Sequence, residues 1–548
     1  MVLLANGHLQ KVDKDGASYD SQACISETLI TLKKTFRPSR LLLMLLLGAM
    51  SWPSGWTQTQ ALPSLGNGEG ISLSAERKLG DRVARELYRD PDYLEDPVLD
   101  EYIQRLWAPL VKSAAARGDL SPELQERFAW RILLGRDRSV NAFALPGGYL
   151  GVHLGLIAVV SSNDELASVL AHELSHVTQR HIARSMEEQS KMTPWVIGSM
   201  ILGAIALSKN PQAAQGLIVG GQAAAIQSQL SYSRDMEREA DRVGYGVLAD
   251  AGFDPQGFVG MFGKLQQAAG LNDSGAFPYL RTHPLTTERV ADMQARLQLN
   301  NNPTRPAADV SQAMLAARAK VLSQNSVEAL KAWTQDTKAT SPQATPAQKA
   351  GALYAATLSF LQLRDMAAAE RQLQALILTV AQDAPAKRLA TLLQAEVAVK
   401  QERFEQAFQV LQSLNASPLT APQQPQALPR PELMATAEVL LRLPPHPARV
   451  AVTQQLRDQV VLAPHDAQAW NTLARLYALQ GQTLLSLRAE GEAQMARLDW
   501  TGAVDRFRAA QDWAKNNRLQ AGDHIEASIV DTRLRQVQAL IRDLQTER

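Results

Sequence analysis

Apolar residues recur at three- and four-residue spacing over most of the chain, a period that predicts a mainly helical protein. Ser72 to Tyr88 and Pro97 to Ala116 read as helices. The second puts Leu99, Tyr102, Ile103, Leu106, Leu110 and Val111 on its apolar side after an Asp96-Pro97 start signal. The pattern changes at Phe128 to Leu134, a large-apolar run ended by Gly135-Arg136-Asp137, which predicts a first strand. Asn141 to Leu150 is also extended. Pro146 and Gly147-Gly148 restrict it to an edge strand or a hairpin, because proline cannot donate in a central ladder. Ser162 and Glu165 fit a capping box at the head of a long helix that is expected to continue past His181. Ser233 to Ala249 is helical again, and a break at Arg281 to Glu288 precedes a helix over Arg289 to Leu297.

Gln298 to Pro306 is a polar, proline-bearing joint, so the reading is a domain over 62–300, a linker over 301–311 and helical repeats over 312–548. Ala369 and Leu373 follow one turn, Ala407 and Leu411 the next, and Ala503, Phe507 and Ala510 a third. Pro464, Trp470, Ala474, Tyr477 and Gly481 fit the junction of two tetratricopeptide units. The 38 residues from Ala369 to Ala407 depart from the usual period of about 34, so the repeats are degenerate. Asn415 to Pro431, rich in proline and glutamine, interrupts them. Stacked helical pairs bury a continuous core and present a concave face, here expected to dock a partner or substrate.

At 548 residues the chain exceeds what one core serves, and 56 basic against 55 acidic residues give no case for nucleic acid. Lys33, Lys34, Arg37 and Arg40 precede the apolar run Leu41 to Met50, which Ser51 to Gly55 ends. Those are the parts of a secretory signal peptide, here with an extended basic region, ending near Ala61. The single cysteine, Cys24, falls within that leader, so disulfides and cysteine-zinc sites are excluded from the mature chain. Trp195 to Leu207 is apolar but too short to span a bilayer. Core packing is the first reading, and a hairpin that touches membrane or covers a cleft is the second.

The chemistry concentrates in His172-Glu173-Leu174-Ser175-His176. Residues four apart share a helix face, so both imidazoles can converge on one metal ion. Glu173 is placed to take a proton from water on that metal, the H-E-x-x-H arrangement of zinc peptidases. Such a site needs a third protein ligand. Glu237 and Glu239 fit equally by spacing, and Asp241, one turn on, suits a partner for the non-ligating nitrogen of a zinc histidine. His181, five residues beyond His176, is expected to face away and be solvated. His283, held extended before Pro284, reads as a metal contact, an oxyanion stabiliser or a surface-loop histidine. The edge strand at Asn141, Ala142 and Phe143 offers main-chain pairing to an extended substrate, or simply closes the sheet.

Four motifs in order carry a resemblance: Asn141-Ala142-Phe143-Ala144 with Gly147-Gly148; His172 to His176; Glu237-Arg238-Glu239-Ala240-Asp241-Arg242; and Thr282-His283-Pro284 with Arg289. Together they resemble the CAAX-prenyl-endopeptidase and HtpX family of gluzincin metallopeptidases, especially its soluble periplasmic, beta-barrel-assembly-enhancing branch with a tetratricopeptide tail. The resemblance implies a gluzincin-type domain of helices with a small sheet, followed by a helical solenoid. It further implies one Zn²⁺ per chain bound by His172, His176 and Glu237, Glu173 as general base, Asp241 behind a ligand and His283 near the metal as an extra ligand or gate. In membrane relatives that histidine is implied to stabilise the transition state. The multiple membrane spans of those relatives are absent from this sequence, which points to exported or outer-membrane polypeptides as substrates. The outer-membrane assembly machinery is the expected partner of the repeats. The alternative is an assembly chaperone in which proteolysis is secondary.

Overall fold

Ser72 accepts a hydrogen bond from Ala75 N and starts helix α1 (Leu73–Arg89); Asp96 does the same for Leu99 N at α2 (Pro97–Arg117). In this computed structural model the described residues are 71–188, 203, 233–270, 277–299, 309–339, 341–415 and 427–546. The expected leader, Cys24, nearly all of Trp195 to Leu207, the joint over 301–308 and residues 416–426 lie outside them. Among the described residues no helix is long and apolar enough to cross a membrane.

Strand β1 (Tyr93–Leu94), which lies between α1 and α2, joins β2 (Arg131–Gly135), β3 (Ala142–Leu145) and β4 (Tyr149–His153), which follow α3 (Pro122–Arg127), in one sheet of order β1-β2-β4-β3. The first predicted strand begins late, at Arg131, because Trp130 takes a left-handed φ of 50°. β2 runs parallel to β4, and β3 returns antiparallel to β4 as the outer strand. The β3–β4 turn passes through Gly147 (φ 71°) and Gly148 (φ 84°), where a Cβ on Gly148 would stand 2.8 Å from the Phe128 Cβ. The two-residue β1 carried no legible pattern of its own.

α4 (Leu154–Val159) leads into α5 (Asn163–Thr178), which is buried from Glu165 to its end. Ser162 caps α5 through Glu165 N at 3.1 Å. The Glu165 carboxylate instead accepts from Ser161 N (2.6 Å) and Lys264 Nζ (2.7 Å), so the capping box closes one residue early. The helix stops at Thr178. Arg180 has φ 53°, and a separate helix, α6 (His181–Glu188), starts directly after it. Among the described residues α7 (Arg234–Asp250), α8 (Gln256–Gly270), α9 (Tyr279–Thr282) and α10 (Thr287–Leu299) follow.

Among the described residues twelve helices come next: α11 (Val310–Ser323), α12 (Val327–Thr334), α13 (Pro346–Gln362), α14 (Met366–Thr379), α15 (Ala384–Lys400), α16 (Phe404–Gln412), α17 (Arg430–Leu440), α18 (Ala448–Leu462), α19 (Ala467–Leu479), α20 (Thr483–Ala496), α21 (Trp500–Asn516) and α22 (Asp523–Thr546). They stack as a tetratricopeptide-like solenoid. Ala369, Leu373, Ala407, Leu411, Ala503, Phe507 and Ala510 are all buried. Four of its described turns share one device, a left-handed residue at Arg364, Glu402, Gly481 and Leu498.

The peptidase-like part and the solenoid share one apolar core, continuous from Leu94 to Val397. The N-terminus of α2 is the hub of their polar contact. Glu95 pairs with Arg497 (2.6 Å), Asp96 with Arg318 (2.7 Å), Asp100 with Arg430 (3.1 Å) and Glu101 with Arg388 (2.6 Å). Arg318 is fully enclosed and also reaches Glu396 (2.9 Å) and Tyr354 Oη (3.3 Å). Farther along, Arg131 donates to Ala496 O (3.1 Å) and Arg85 to Leu498 O (2.9 Å), which brings the α20–α21 turn back onto α1 and the sheet.

Candidate metal centre

α7 lies close against α5 because Gly244 removes the side chain where the helices meet; a Cβ there would be 3.1 Å from Ala171 O. Glu237, Asp241 and Gly244 fall on one face of α7 at helical spacing, so both carboxylates come opposite His172. His283 follows α9 in an extended conformation (φ −123°, ψ 78°) before Pro284. Its N–H donates to Tyr279 O at 2.9 Å, and its ring stacks on Tyr279 at 4.5 Å between centroids.

His172, His176, Glu237 and His283 bring one ligand atom each to within 4.8 Å of one another, all of them buried. His172 Nε2 is 3.0 Å from His176 Nε2, 3.4 Å from His283 Nδ1 and 3.4 Å from Glu237 Oε2. Glu237 Oε1 is 3.4 Å from His176 Nε2 and 3.0 Å from His283 Nδ1. Zinc bonds of about 2.0–2.1 Å make a tetrahedron with edges of about 3.3 Å. The nitrogen and oxygen donors therefore fit zinc in both spacing and kind. Glu239 is not among them. It lies beyond the cluster on the outer side of α7, with its carboxylate on His181 and Arg184.

Asp241 Oδ1 lies 3.0 Å from His172 Nδ1, behind the ligand. Arg289 holds both carboxylates, with its Nε 2.6 Å from Asp241 Oδ2 and Nη1 2.7 Å from Glu237 Oε2. Burial pushes Asp241 up, but hydrogen bonds from Arg289 bring it below the usual carboxylate range. Burial lowers His172, yet Asp241 and Glu237 raise it to about 9; burial beside two further imidazoles holds His176 well below its ordinary value. Glu173 is fully buried, and among the described residues neither carboxylate oxygen has a hydrogen-bond partner. Its Oε1 stands 3.5 Å from His283 Nε2.

His181 departs from expectation. It is not solvated but wholly buried, with Nδ1 2.8 Å from His176 Nδ1. A continuous helix would have carried it away; the left-handed Arg180 turns the chain back and returns the ring to the site. Sequence reasoning also gave no role to Arg289 or Tyr279. Arg289 stood in one of the quoted motifs, while nothing in spacing distinguished Tyr279.

At the sheet edge, His153 N donates to Asn141 O at 3.0 Å. The antiparallel alternation then directs the main-chain groups of Phe143 to β4 and those of Ala142 and Ala144 away from it, although both alanines are buried. The Phe143 ring lies over Gly151, packing on the sheet face opposite Ala142 and Ala144. Asn141 is buried, and its Oδ1 has no hydrogen-bond partner among the described residues.

Residues 99–297 match peptidase family M48. The chain resembles beta-barrel assembly-enhancing proteases. It is 36% identical over 266 residues to that of Yersinia pestis, covering 48% of this chain and 51% of the relative. To that of Escherichia coli K12 it is 35% identical over 250 residues, covering 44% and 48%. The mitochondrial metalloendopeptidase OMA1 of Arabidopsis thaliana is 32% identical over 198 residues, covering 36% of each chain. The matches span about half the length of these first relatives.

Proposed function

We propose that this protein is a periplasmic zinc endopeptidase that cleaves exported or misassembled outer-membrane polypeptides. The observation that carries this reading is Glu173, a buried carboxylate with no hydrogen-bond partner among the described residues, beside a cluster of four candidate ligand atoms. Held by His172, His176 and Glu237, zinc would polarise the scissile carbonyl and acidify water. Glu173 takes the proton from that water and returns it to the leaving amine. In this reading the β3 edge, buried here, is uncovered for an extended substrate that pairs with the main-chain groups of Ala142 and Ala144 directed away from β4, with Asn141 Oδ1 as an acceptor beside them. Asp241 and Arg289 hold His172 and Glu237 in place. The export signal read in the sequence supports the compartment, and the names of the assembly-enhancing relatives support the substrate class. The solenoid is the docking surface in this reading.

The test is Glu173→Gln in the full chain, with zinc content and cleavage of an unfolded outer-membrane protein as readouts. Glu173 is not a ligand, so zinc should remain while cleavage falls by about 10²–10⁴-fold, the usual share of a general base. Full activity in the variant would sink the assignment.

A second reading, an assembly chaperone with occasional proteolysis, is favoured by one observation. His283 fills the fourth corner of the donor set, which leaves no position for water until it withdraws. Complete function of Glu173→Gln in an outer-membrane assembly assay would support this reading over the first.

A further inference from the structure

We infer that His181 and Glu239 form a relay that positions the zinc ligand His176, a role that rests on the metal reading above. His176 turns Nε2 toward His172 and Glu237, so its other nitrogen, Nδ1, faces away from the cluster. That nitrogen meets His181 Nδ1 at 2.8 Å, with both rings fully buried. Across the His181 ring, Nε2 meets Glu239 Oε2 at 3.1 Å, and Arg184 Nη1 holds the same oxygen at 2.8 Å.

Two facing ring nitrogens can share a hydrogen bond only if one carries a proton and the other a lone pair. The Glu239 carboxylate can only accept, so it selects the His181 tautomer with hydrogen on Nε2. The lone pair of His181 is then on Nδ1, facing His176. His176 in turn carries its hydrogen on Nδ1, which leaves the Nε2 lone pair aimed at the other ligand atoms. The proton order is fixed from the surface carboxylate inward, and each member has one consistent role.

The two histidines of the motif are thus oriented by different means. Asp241 contacts His172 directly, while Glu239 acts on His176 through an intervening imidazole. Glu239, equivalent to Glu237 by spacing, acquires a separate task because it lies two residues along α7 and on another face. The break at Arg180 is what makes the relay possible, since it places the His181 ring against His176 instead of a helical turn beyond it. His181 and Glu239 are positioning residues and touch no reacting atom.

The experiment measures zinc affinity of the full-length protein by chelator competition, together with the visible spectrum of the cobalt-substituted form and the melting temperature of the metal-free form. His181→Phe keeps a ring but removes the acceptor. It should weaken zinc binding about 10–100-fold, the usual effect of losing an outer partner of a ligand, and alter the cobalt spectrum. His181→Gln can accept from His176 and donate to Glu239, so it should retain most of the affinity. Glu239→Gln, still an acceptor, should likewise bind more tightly than Glu239→Leu. Equal zinc affinity and cobalt spectra in wild type and His181→Phe would overturn the relay. So would equal losses in the Phe and Gln variants, which would make the ring alone important. A wild-type protein that binds zinc without cleaving polypeptides would refute the proposed activity yet leave the relay standing; one that binds no zinc removes both.

Discussion

Replacing Arg318 by Met tests whether the solenoid and the catalytic part are held together by a buried charge network or only by apolar packing. The guanidinium contacts Asp96 Oδ2 at 2.7 Å, Glu396 at 2.9 Å and Tyr354 Oη at 3.3 Å, and its side chain is 8% exposed. Without it, Asp96 keeps the backbone contacts of Leu99 and Val98 at the α2 start and remains buried as a carboxylate without its Arg318 partner. Breaking a buried pair in this way costs about 3–5 kcal/mol, against about 0–1 kcal/mol for an exposed pair such as Arg475–Glu438. Urea unfolding followed by circular dichroism should show the large loss in Arg318→Met and almost none in Arg475→Met. Adding Asp96→Asn, which still caps the helix, should restore most of the loss. The pH dependence supplies a sign. Burial raises Asp96, but Arg318 draws it below the usual carboxylate range, so its contribution is present above that range and is lost as the pH falls through the depressed value. In the Met variant burial dominates, Asp96 takes up a proton on folding, and the defect shrinks as the pH falls. A loss below about 1 kcal/mol at pH 7 would refute the anchoring role of the network.

His283→Ala opens the fourth corner of the donor set and should weaken zinc binding while raising basal cleavage of an unfolded polypeptide; unchanged cleavage would argue against gating. Arg289→Met leaves Asp241 and Glu237 buried without their cation, which should cost about 3–5 kcal/mol in the metal-free protein, measured by urea unfolding. Gly151→Ala would put a Cβ 2.2 Å from Phe143 Cζ, and the displaced ring should cost about 1–3 kcal/mol by thermal melting while zinc content is kept. Chelation should abolish cleavage, and added zinc should restore it.

The parts legible in the sequence were those set by local rules. The helix starts at Asp96 and Ser162, the strand limits imposed by Pro146 and its glycines, and the facing of His172 and His176 all follow from short-range chemistry. What stayed hidden depended on distant partners or on one unusual dihedral. The arginines that reach the start of α2 come from positions 318 to 497, and no periodicity marks them as partners of carboxylates at 95 to 101. Spacing left Glu237 and Glu239 equal because both lie within one turn; the approach of α7 to α5 at Gly244 separates them. His181 was misread because helical geometry was extended across a residue that leaves it.

That residue, Arg180, is an odd occupant of left-handed backbone, where glycine costs least. Its guanidinium extends to Glu76 (3.0 Å) and to Ile71 O (2.7 Å), at the head of α1. Glycine would relax the turn but sever this tie; a β-branched residue would do neither job. One side chain therefore has to satisfy a conformational demand and a long-range contact that favour different amino acids. Substitutions here should be poorly tolerated in both directions, even though Arg180 stands outside the metal cluster.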